Sequence, residues 1–251
     1  MADPDVTNPV ALDPSIGAIE IKLTANARDE DAVREAFDAV DVEAERREIY
    51  FYDTLALELF EAGVVLRARL VRDGADDSTV KLRPVVPERL SDDWRQTEGF
   101  EVELDAVGDE AICSAKLTVD QDRGEIREVA DGERAIRKLF SEEQERLLGE
   151  FGPADFGWDE LAVLGPVDVR KWKVEPEGFA YEVTIEEWVL PDRSDLVELS
   201  VKVEPADAAE ARAALTELLT GKQLDPEGDQ QTKTRTALRH FTGEAGISDS
   251  R

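Results

Sequence analysis

Charged side chains recur at every second position along several segments of the chain, and this alternation constrains the fold more than any other sequence feature. The stretch AIEIKLT places Glu20 and Lys22 on one face of an extended segment and three aliphatic side chains on the other. Side chains of a β-strand point alternately to the two faces of a sheet, so the pattern predicts a strand. A single strand of this kind is also typical of a sheet with one solvated face. The repetition of the pattern elsewhere is therefore what carries information.

Seven predicted strands carry paired charges at this spacing, and the charges are segregated by sign. The basic pairs are Arg67 and Arg69, Lys81 and Arg83, and Lys171 and Lys173, with Arg170 on the opposite face of its strand. The mainly acidic strands carry Glu101 and Glu103; Glu182, Thr184 and Glu186; and Glu198, Ser200, Lys202 and Glu204. A solvated face would mix the two signs, so the segregation favours an enclosed, charged interior.

The opposite faces of these strands are apolar and need to be covered by other elements. Amphipathic helices predicted near 28–40, 132–150, 205–219 and 229–241 can cover them from outside, and a further helix is predicted at 108–117. Strands with interspersed helices favour an α+β fold with an antiparallel sheet. The arrangement that fits both faces is an inverted barrel, with charge inside and hydrophobic packing outside.

The chain is predicted to form one domain with short flexible ends. Residues 1–16 have three prolines and no periodicity, which predicts a disordered leader, and residues 243–251 are predicted to be a flexible tail. Residues 17–242 form the domain, and the break FGPADFG divides it into halves at about 17–150 and 151–242.

Charge and composition exclude several classes of partner and site. A net charge of -29 repels polyanions, so neither nucleic acid nor an anionic membrane is expected as the main partner. No apolar run approaches the roughly 20 residues that cross a bilayer, and the start of the chain does not resemble a signal peptide, so we expect a cytoplasmic protein. One cysteine and one histidine cannot build a Cys/His zinc site. A metal would have to be held by carboxylates, which suits Mg²⁺, Mn²⁺ or Ca²⁺.

An interior lined by arginine and lysine favours a polyanion as its ligand. Like charges in a confined space repel one another and lose hydration unless an anion compensates them. Arginine and lysine match phosphate oxygens in geometry and charge, and divalent cations held by carboxylates can bridge those oxygens. The residues alone therefore predict a phosphate-binding interior.

The ordered set of motifs resembles the CYTH family, also called triphosphate tunnel metalloenzymes. This family includes inorganic triphosphatases, thiamine triphosphatases and class IV adenylyl cyclases. AIEIKLT resembles its ExExK signature, and the resemblance extends from residue 18 to about 241. The supporting motifs are YFYDT, LRARL, TVKLR, FEVELD, RKWKV, YEVTI, LVELSVKV and a basic segment with Lys222, Lys233 and Arg235.

The resemblance implies a closed eight-stranded antiparallel β-barrel, surrounded by helices, that binds a triphosphate with Mg²⁺ or Mn²⁺. Lys22 would position the phosphoryl group under attack, and Glu20 would hold the metal beside it. The implied phosphate-binding residues are Lys22, Arg67, Arg69, Lys81, Arg83, Arg170 or Lys171, Lys173, Lys202, Lys233 and Arg235. The implied residues that hold metal or support the basic residues are Glu20, Glu101, Glu103, Glu182 and Glu198.

Three positions depart from the family pattern. Ala18, Thr184 and Ser200 stand where the family has, or frequently has, an acidic residue. Each lost carboxylate removes a cation ligand and compensating charge, so the site should attract phosphate but bind a cation less tightly.

Three functions are consistent with these residues. The leading hypothesis is a divalent-metal-dependent phosphohydrolase of an inorganic or organic triphosphate, such as tripolyphosphate or a nucleoside or thiamine triphosphate. The second is a class IV adenylyl cyclase. The third is a phosphate, polyphosphate or nucleotide sensor without catalysis, because the three acids are missing.

Overall fold

The fold is known from a computed structural model that describes residues 17–25, 30–107, 110–153, 156–224 and 232–243. The predicted leader and all but the first residue of the predicted tail lie outside the described residues. No helix in the described part is long and apolar enough to span a membrane.

The described strands of both predicted halves join one closed barrel. Their order around the barrel is β1-β5-β6-β4-β3-β2-β7-β8-β9, and β9 pairs with β1 to close it. The strands are β1 Ala18–Ala25, β2 Glu45–Asp53, β3 Val64–Val71, β4 Asp76–Leu82, β5 Phe100–Val107, β6 Glu110–Gln121, β7 Ala162–Val174, β8 Val183–Val189 and β9 Asp195–Val203. Every segment predicted to be a strand forms one.

The predicted eight-stranded antiparallel barrel is wrong in strand number and in one pairing. The barrel has nine strands, and β1 runs parallel to β5, with Glu20 opposite Asp105. A closed ring with an odd number of strands cannot alternate direction throughout, so at least one neighbouring pair must be parallel.

The ninth strand is β6, which includes residues 110–117 of the segment predicted as a helix at 108–117; residues 108 and 109 lie outside the described residues. Cys113, Ala115 and Leu117 are buried on its outer face, while Lys116 faces inward. The apolar period is therefore two, and pairing with β4 and β5 on either side makes this segment a central strand.

Helices surround the barrel and cover its apolar outer surface. They are α1 Glu30–Ala36, α2 Glu58–Glu61, α3 Asp92–Arg95, α4 Glu125–Ala130, α5 Glu142–Phe151, α6 Ala208–Gly221 and α7 Lys233–Phe241. The helix predicted at 132–150 is shorter: α5 begins only after Ser141, which forms a capping box with Gln144. The buried Gln144 amide also donates to the Ser78 and Leu117 carbonyl oxygens, which fixes α5 on β4 and β6.

The main hydrophobic core lies outside the barrel, as an inverted barrel requires. Ile19 and Leu104 on the strands and Leu215 on α6 belong to one buried cluster and are fully shielded from solvent. A smaller apolar cluster lies at one end of the barrel, where Ile49, Trp188 and Val169 pack with Ala237 and Leu238 of α7. Helix α7 therefore packs against that end.

Candidate functional site

The inner faces of the strands enclose a cavity of about 790 Å³ that is lined mainly by charged side chains. Among the described residues, twelve basic and six acidic residues line it, although the whole chain carries a charge of -29. The basic residues are Lys22, Arg47, Arg67, Arg69, Lys81, Arg83, Lys116, Lys171, Lys173, Lys202, Lys233 and Arg235, and the acidic residues are Glu20, Glu61, Glu103, Glu182, Glu186 and Glu198. An acidic protein thus encloses a basic interior.

Most of the predicted site residues come together in this cavity. All the predicted phosphate-binding residues line it except Arg170, whose guanidinium lies 3.2 Å from the Glu187 carboxylate on the other face of β7. Of the two alternatives on this strand, the geometry therefore places Lys171 in the cavity. Glu101 is not part of the lining, and its carboxylate lies 3.3 Å from the Lys116 ammonium. The other predicted metal-holding residues line the cavity: Glu20, Glu103, Glu182 and Glu198.

Asp105 organises the side of the cavity formed by β1, β4 and β5. Its fully buried carboxylate accepts hydrogen bonds from Lys22 at 2.5 Å, Lys81 at 2.7 Å and Ser114 at 3.1 Å. Burial alone would raise the pKa of Asp105, but the two ammonium groups outweigh burial and lower it far below its ordinary value. Burial alone would likewise lower the pKa of Lys22, but Asp105, Glu20 and Glu198 together raise it. Lys22 is therefore a fixed positive charge.

Glu103, another carboxylate of the cavity lining, also holds two lysine side chains in place. It accepts hydrogen bonds from Lys116 at 3.0 Å and Lys202 at 2.9 Å while only 5% exposed. Burial favours a higher pKa for Glu103, but the two lysines lower it to about 2.

We expect the Glu103→Gln variant to be less stable than the wild type at pH 7 and to approach it in acid. The pKa of Glu103 falls from an ordinary value of 4.5 to about 2, which corresponds to about 3 kcal/mol of folding free energy. This contribution is complete above pH 4.5 and is lost as the pH falls toward 2. Urea unfolding of both proteins across that range measures the difference, and a difference that does not change with pH would contradict the assignment.

Helix α7 contributes a lysine to the acidic side of the cavity. The Lys233 ammonium donates to Glu186 and lies 2.7 Å from the Glu198 carboxylate. Thr232 caps this helix by accepting from the Arg235 backbone N–H. The position of Lys233 is therefore set by the docking of a packed helix.

Four cations of the lining have no ion-pair partner among the described residues: Arg67, Arg83, Lys171 and the exposed Arg235, whose guanidinium lies over the Phe60 ring. The Arg67 Nε–H group is buried and donates to no acceptor there. Burial and the neighbouring Arg69 lower the pKa of Arg67 to about 10, so it is still charged at neutral pH. Burial likewise lowers the pKa of Lys171. A buried guanidinium N–H without an acceptor costs folding free energy unless a ligand supplies the acceptor.

The backbone near Arg83 is fixed by a close approach to α2. Gly63 follows this helix with a φ of +81°, and any Cβ there would collide with the Arg83 carbonyl oxygen. The Arg83 backbone N–H also donates to the Gly63 carbonyl at 2.7 Å. The end of β4 is thereby held so that the Arg83 side chain lines the cavity.

Two solved structures match 88% of this chain in fold. One is a candidate adenylyl cyclase from Hippeastrum with a dominant triphosphatase activity; it is 17% identical, with 95% of its own chain covered and a TM-score of 0.62. The other is a candidate adenylate cyclase from Bacillus halodurans; it is 11% identical, with 98% of its chain covered and a TM-score of 0.58. The chain shares the CYTH-type fold of these structures, and its charged cavity is the tunnel of that fold. Comparison of the sequence with protein-family models and with curated proteins gives no match.

The sequence did not indicate several of the charged residues of the tunnel, among them Asp105, Lys116 and Arg47. Asp105 continues the alternation of FEVELD by one step, so the same pattern could have identified it. Lys116 lies on the strand that was predicted to be a helix. Arg47 shares its inner face with Glu45, which has the opposite charge, and with Ile49 and Phe51, so no pair of like charges marks its strand.

The carboxylates of the tunnel do not fit a resident metal ion. No group of three or more Asp, Glu, His or Cys residues in the described part is arranged to hold one. Apart from the exposed Glu61, each carboxylate of the lining is already bound by lysine: Glu20 by Lys22, Glu103 by Lys116 and Lys202, Glu182 by Lys173, and Glu186 and Glu198 by Lys233. The predicted dependence on Mg²⁺ or Mn²⁺ stays a prediction.

Proposed function

We propose that this chain binds the triphosphate group of a small molecule in its tunnel and hydrolyses the terminal phosphoanhydride bond. The observation that carries the proposal is the group of cations without ion-pair partners, above all Arg67, whose buried Nε–H has no acceptor among the described residues. A triphosphate supplies several anionic oxygens in a row and can satisfy Arg67, Arg83 and Lys171 together. Arginine is suited to this task because its planar fork donates two hydrogen bonds to one phosphate.

The remaining cations support the same ligand because the protein holds them in place before the ligand arrives. Lys22 and Lys81 are fixed by Asp105, and Arg69 is fixed by Asp77 at 2.8 Å. Charged groups that are already oriented lose little freedom when an anion binds. The fold shared with a Hippeastrum protein that has triphosphatase activity adds support for this ligand class.

In the proposed reaction a water molecule attacks the terminal phosphorus in line with the leaving oxygen. The bond from that phosphorus to its bridging oxygen breaks, which gives orthophosphate and the shortened polyphosphate or nucleotide. Lys22 would position the terminal phosphoryl group, and the guanidinium groups would stabilise the charge on its equatorial oxygens. The Mg²⁺ or Mn²⁺ implied by the resemblance takes no part in this step, because Glu20 and Glu198 are each paired with a lysine.

We expect the Lys22→Ala variant to release phosphate about 10- to 100-fold more slowly than the wild type, because one charge-assisted contact is lost. Phosphate release from tripolyphosphate, ATP and thiamine triphosphate, each with Mg²⁺ or Mn²⁺, measures the effect. Lys138→Ala removes an exposed lysine outside the barrel and serves as the control. Activity that survives Glu20→Ala and Lys22→Ala together would show that the site is assigned wrongly.

Binding without turnover is a second candidate function, and the residues at positions 184 and 200 favour it. Thr184 and Ser200 face each other across β8 and β9, and Ser200 is also opposite Lys22, so small hydroxyl groups stand where acids were expected. In that case tripolyphosphate would raise the melting temperature by mass action but would not be consumed. Formation of cyclic AMP and pyrophosphate from ATP would instead indicate a cyclase.

A further inference from the structure

Two carboxylates of the tunnel lie side by side and share one ammonium group. Glu186 and Glu198 are directly opposite in the register of β8 and β9. The side chains of Glu186 and Glu198 are 17% and 6% exposed, and the Lys233 side chain is 17% exposed. The Lys233 Nζ atom lies 2.7 Å from a Glu198 oxygen and contacts a Glu186 oxygen directly. One ammonium thus contacts an oxygen of each carboxylate.

Two neighbouring carboxylates with little exposure require a cation to remain ionised together. A divalent ion held between carboxylates is one solution, and a protein ammonium is another. In this tunnel the ammonium is present, because Lys233 stands between Glu186 and Glu198. We propose that Lys233 is a built-in cation that takes the place of a divalent ion at this acidic pair, so that the tunnel binds triphosphate without loading a metal there first.

The surroundings of Lys233 support a fixed position for the ammonium. Lys233 is the first residue of α7, and further along the helix Ala237 and Leu238 are buried against Trp188. The Lys233 ammonium also lies 5.1 Å from the centre of the Trp188 ring, and the Trp188 indole N–H donates to Glu186. The lysine and one of its two carboxylates are therefore both oriented by the same packed cluster.

This arrangement makes the lysine and a divalent ion competitors for the same carboxylate oxygens. A metal could coordinate Glu186 and Glu198 together only by displacing Lys233, and displacement would require α7 or the lysine stem to move. The wild-type protein should therefore respond weakly to divalent ions at this pair. Removal of the ammonium should create a metal site that the wild type lacks. The role in triphosphate binding rests on the proposed function, whereas the competition itself does not.

The test measures Mn²⁺ binding without any triphosphate, by calorimetry and by the shift in melting temperature. We expect Lys233→Ala to bind Mn²⁺ at least about 10-fold more tightly than the wild type, because its carboxylates lose the ammonium they share and only the more distant Arg47 guanidinium, 4.0 Å from Glu186, remains. The gain should disappear in the double variant Lys233→Ala with Glu198→Gln. Arg239→Ala removes a positive charge from the same helix and should bind Mn²⁺ as the wild type does.

Equal Mn²⁺ affinity in the wild type and Lys233→Ala would overturn the proposal. If Lys233→Ala does not fold, Lys233→Met keeps the apolar stem of the side chain and is measured in the same way. Tripolyphosphate is then titrated into the wild type with a chelator and with Mn²⁺, and we expect affinities within about threefold of each other. A large dependence on Mn²⁺ would also overturn the proposal. No binding of tripolyphosphate under either condition would contradict the proposed function and leave the Mn²⁺ comparison interpretable.

Discussion

Replacing Arg67 by alanine is expected to weaken tripolyphosphate binding by about 30- to 1,000-fold at pH 7. Arg67 lines the tunnel half-buried, and no described carboxylate forms an ion pair with it, so its charge is available to the ligand. A guanidinium that makes two charge-assisted hydrogen bonds to phosphate contributes about 2 to 4 kcal/mol, which corresponds to that loss. Isothermal titration calorimetry of both proteins measures it.

The matched control for this prediction is Arg137→Ala. Arg137 is an exposed arginine that pairs with Glu145 on the surface of α5 and does not line the tunnel. Its removal should leave the affinity for tripolyphosphate unchanged. If Arg67→Ala bound tripolyphosphate as tightly as Arg137→Ala does, Arg67 would not be part of the anion site.

The Asp105→Ala variant is expected to lose about 3 to 5 kcal/mol of folding free energy, because it leaves two half-buried ammonium groups without the counter-charge that they share. Asp105 is fully buried and bonded to both Lys22 and Lys81. The free energy of unfolding in urea at pH 7 measures the loss.

Two further variants show whether charge or hydrogen bonding accounts for the loss. Asp105→Asn keeps a hydrogen-bond acceptor but removes the charge, so it should be intermediate. Glu145→Ala breaks a surface ion pair with Arg137 and should cost less than about 1 kcal/mol. An Asp105→Ala protein as stable as Glu145→Ala would contradict the central role of Asp105.

Most of the barrel could be predicted because alternation is a local property of a strand. Each of the eight predicted strands has enough residues of period two to be recognised without knowledge of its neighbours. For residues 108–117 we predict a helix from the sequence and not the strand β6. Cys113, Ala115 and Leu117 nevertheless alternate with polar residues, as in a strand. The parallel pairing of β1 with β5 could not be predicted, since it follows from how many strands close the ring.

Residues of the candidate site could be predicted where like charges repeat along one strand. They could not be predicted where their position depends on how a helix packs against the barrel. Arg67 and Arg69 were assigned to the interior because they share a face of β3. Arg47 lies between Glu45 and Ile49 on its face, so no second basic residue on the strand distinguished it from a surface arginine. The contact of Lys233 with Glu186 and Glu198 depends on how α7 packs against the barrel, which a sequence pattern does not specify.

The basic tunnel inside this acidic protein is proposed to be a binding site for triphosphate. A crystal structure of the wild type grown with excess tripolyphosphate is the most direct test. We expect the anion inside the barrel, with phosphate oxygens within hydrogen-bond distance of Arg67, Arg83 and Lys171. A tunnel that holds only solvent while tripolyphosphate binds on the outer surface, or does not bind at all, would contradict it.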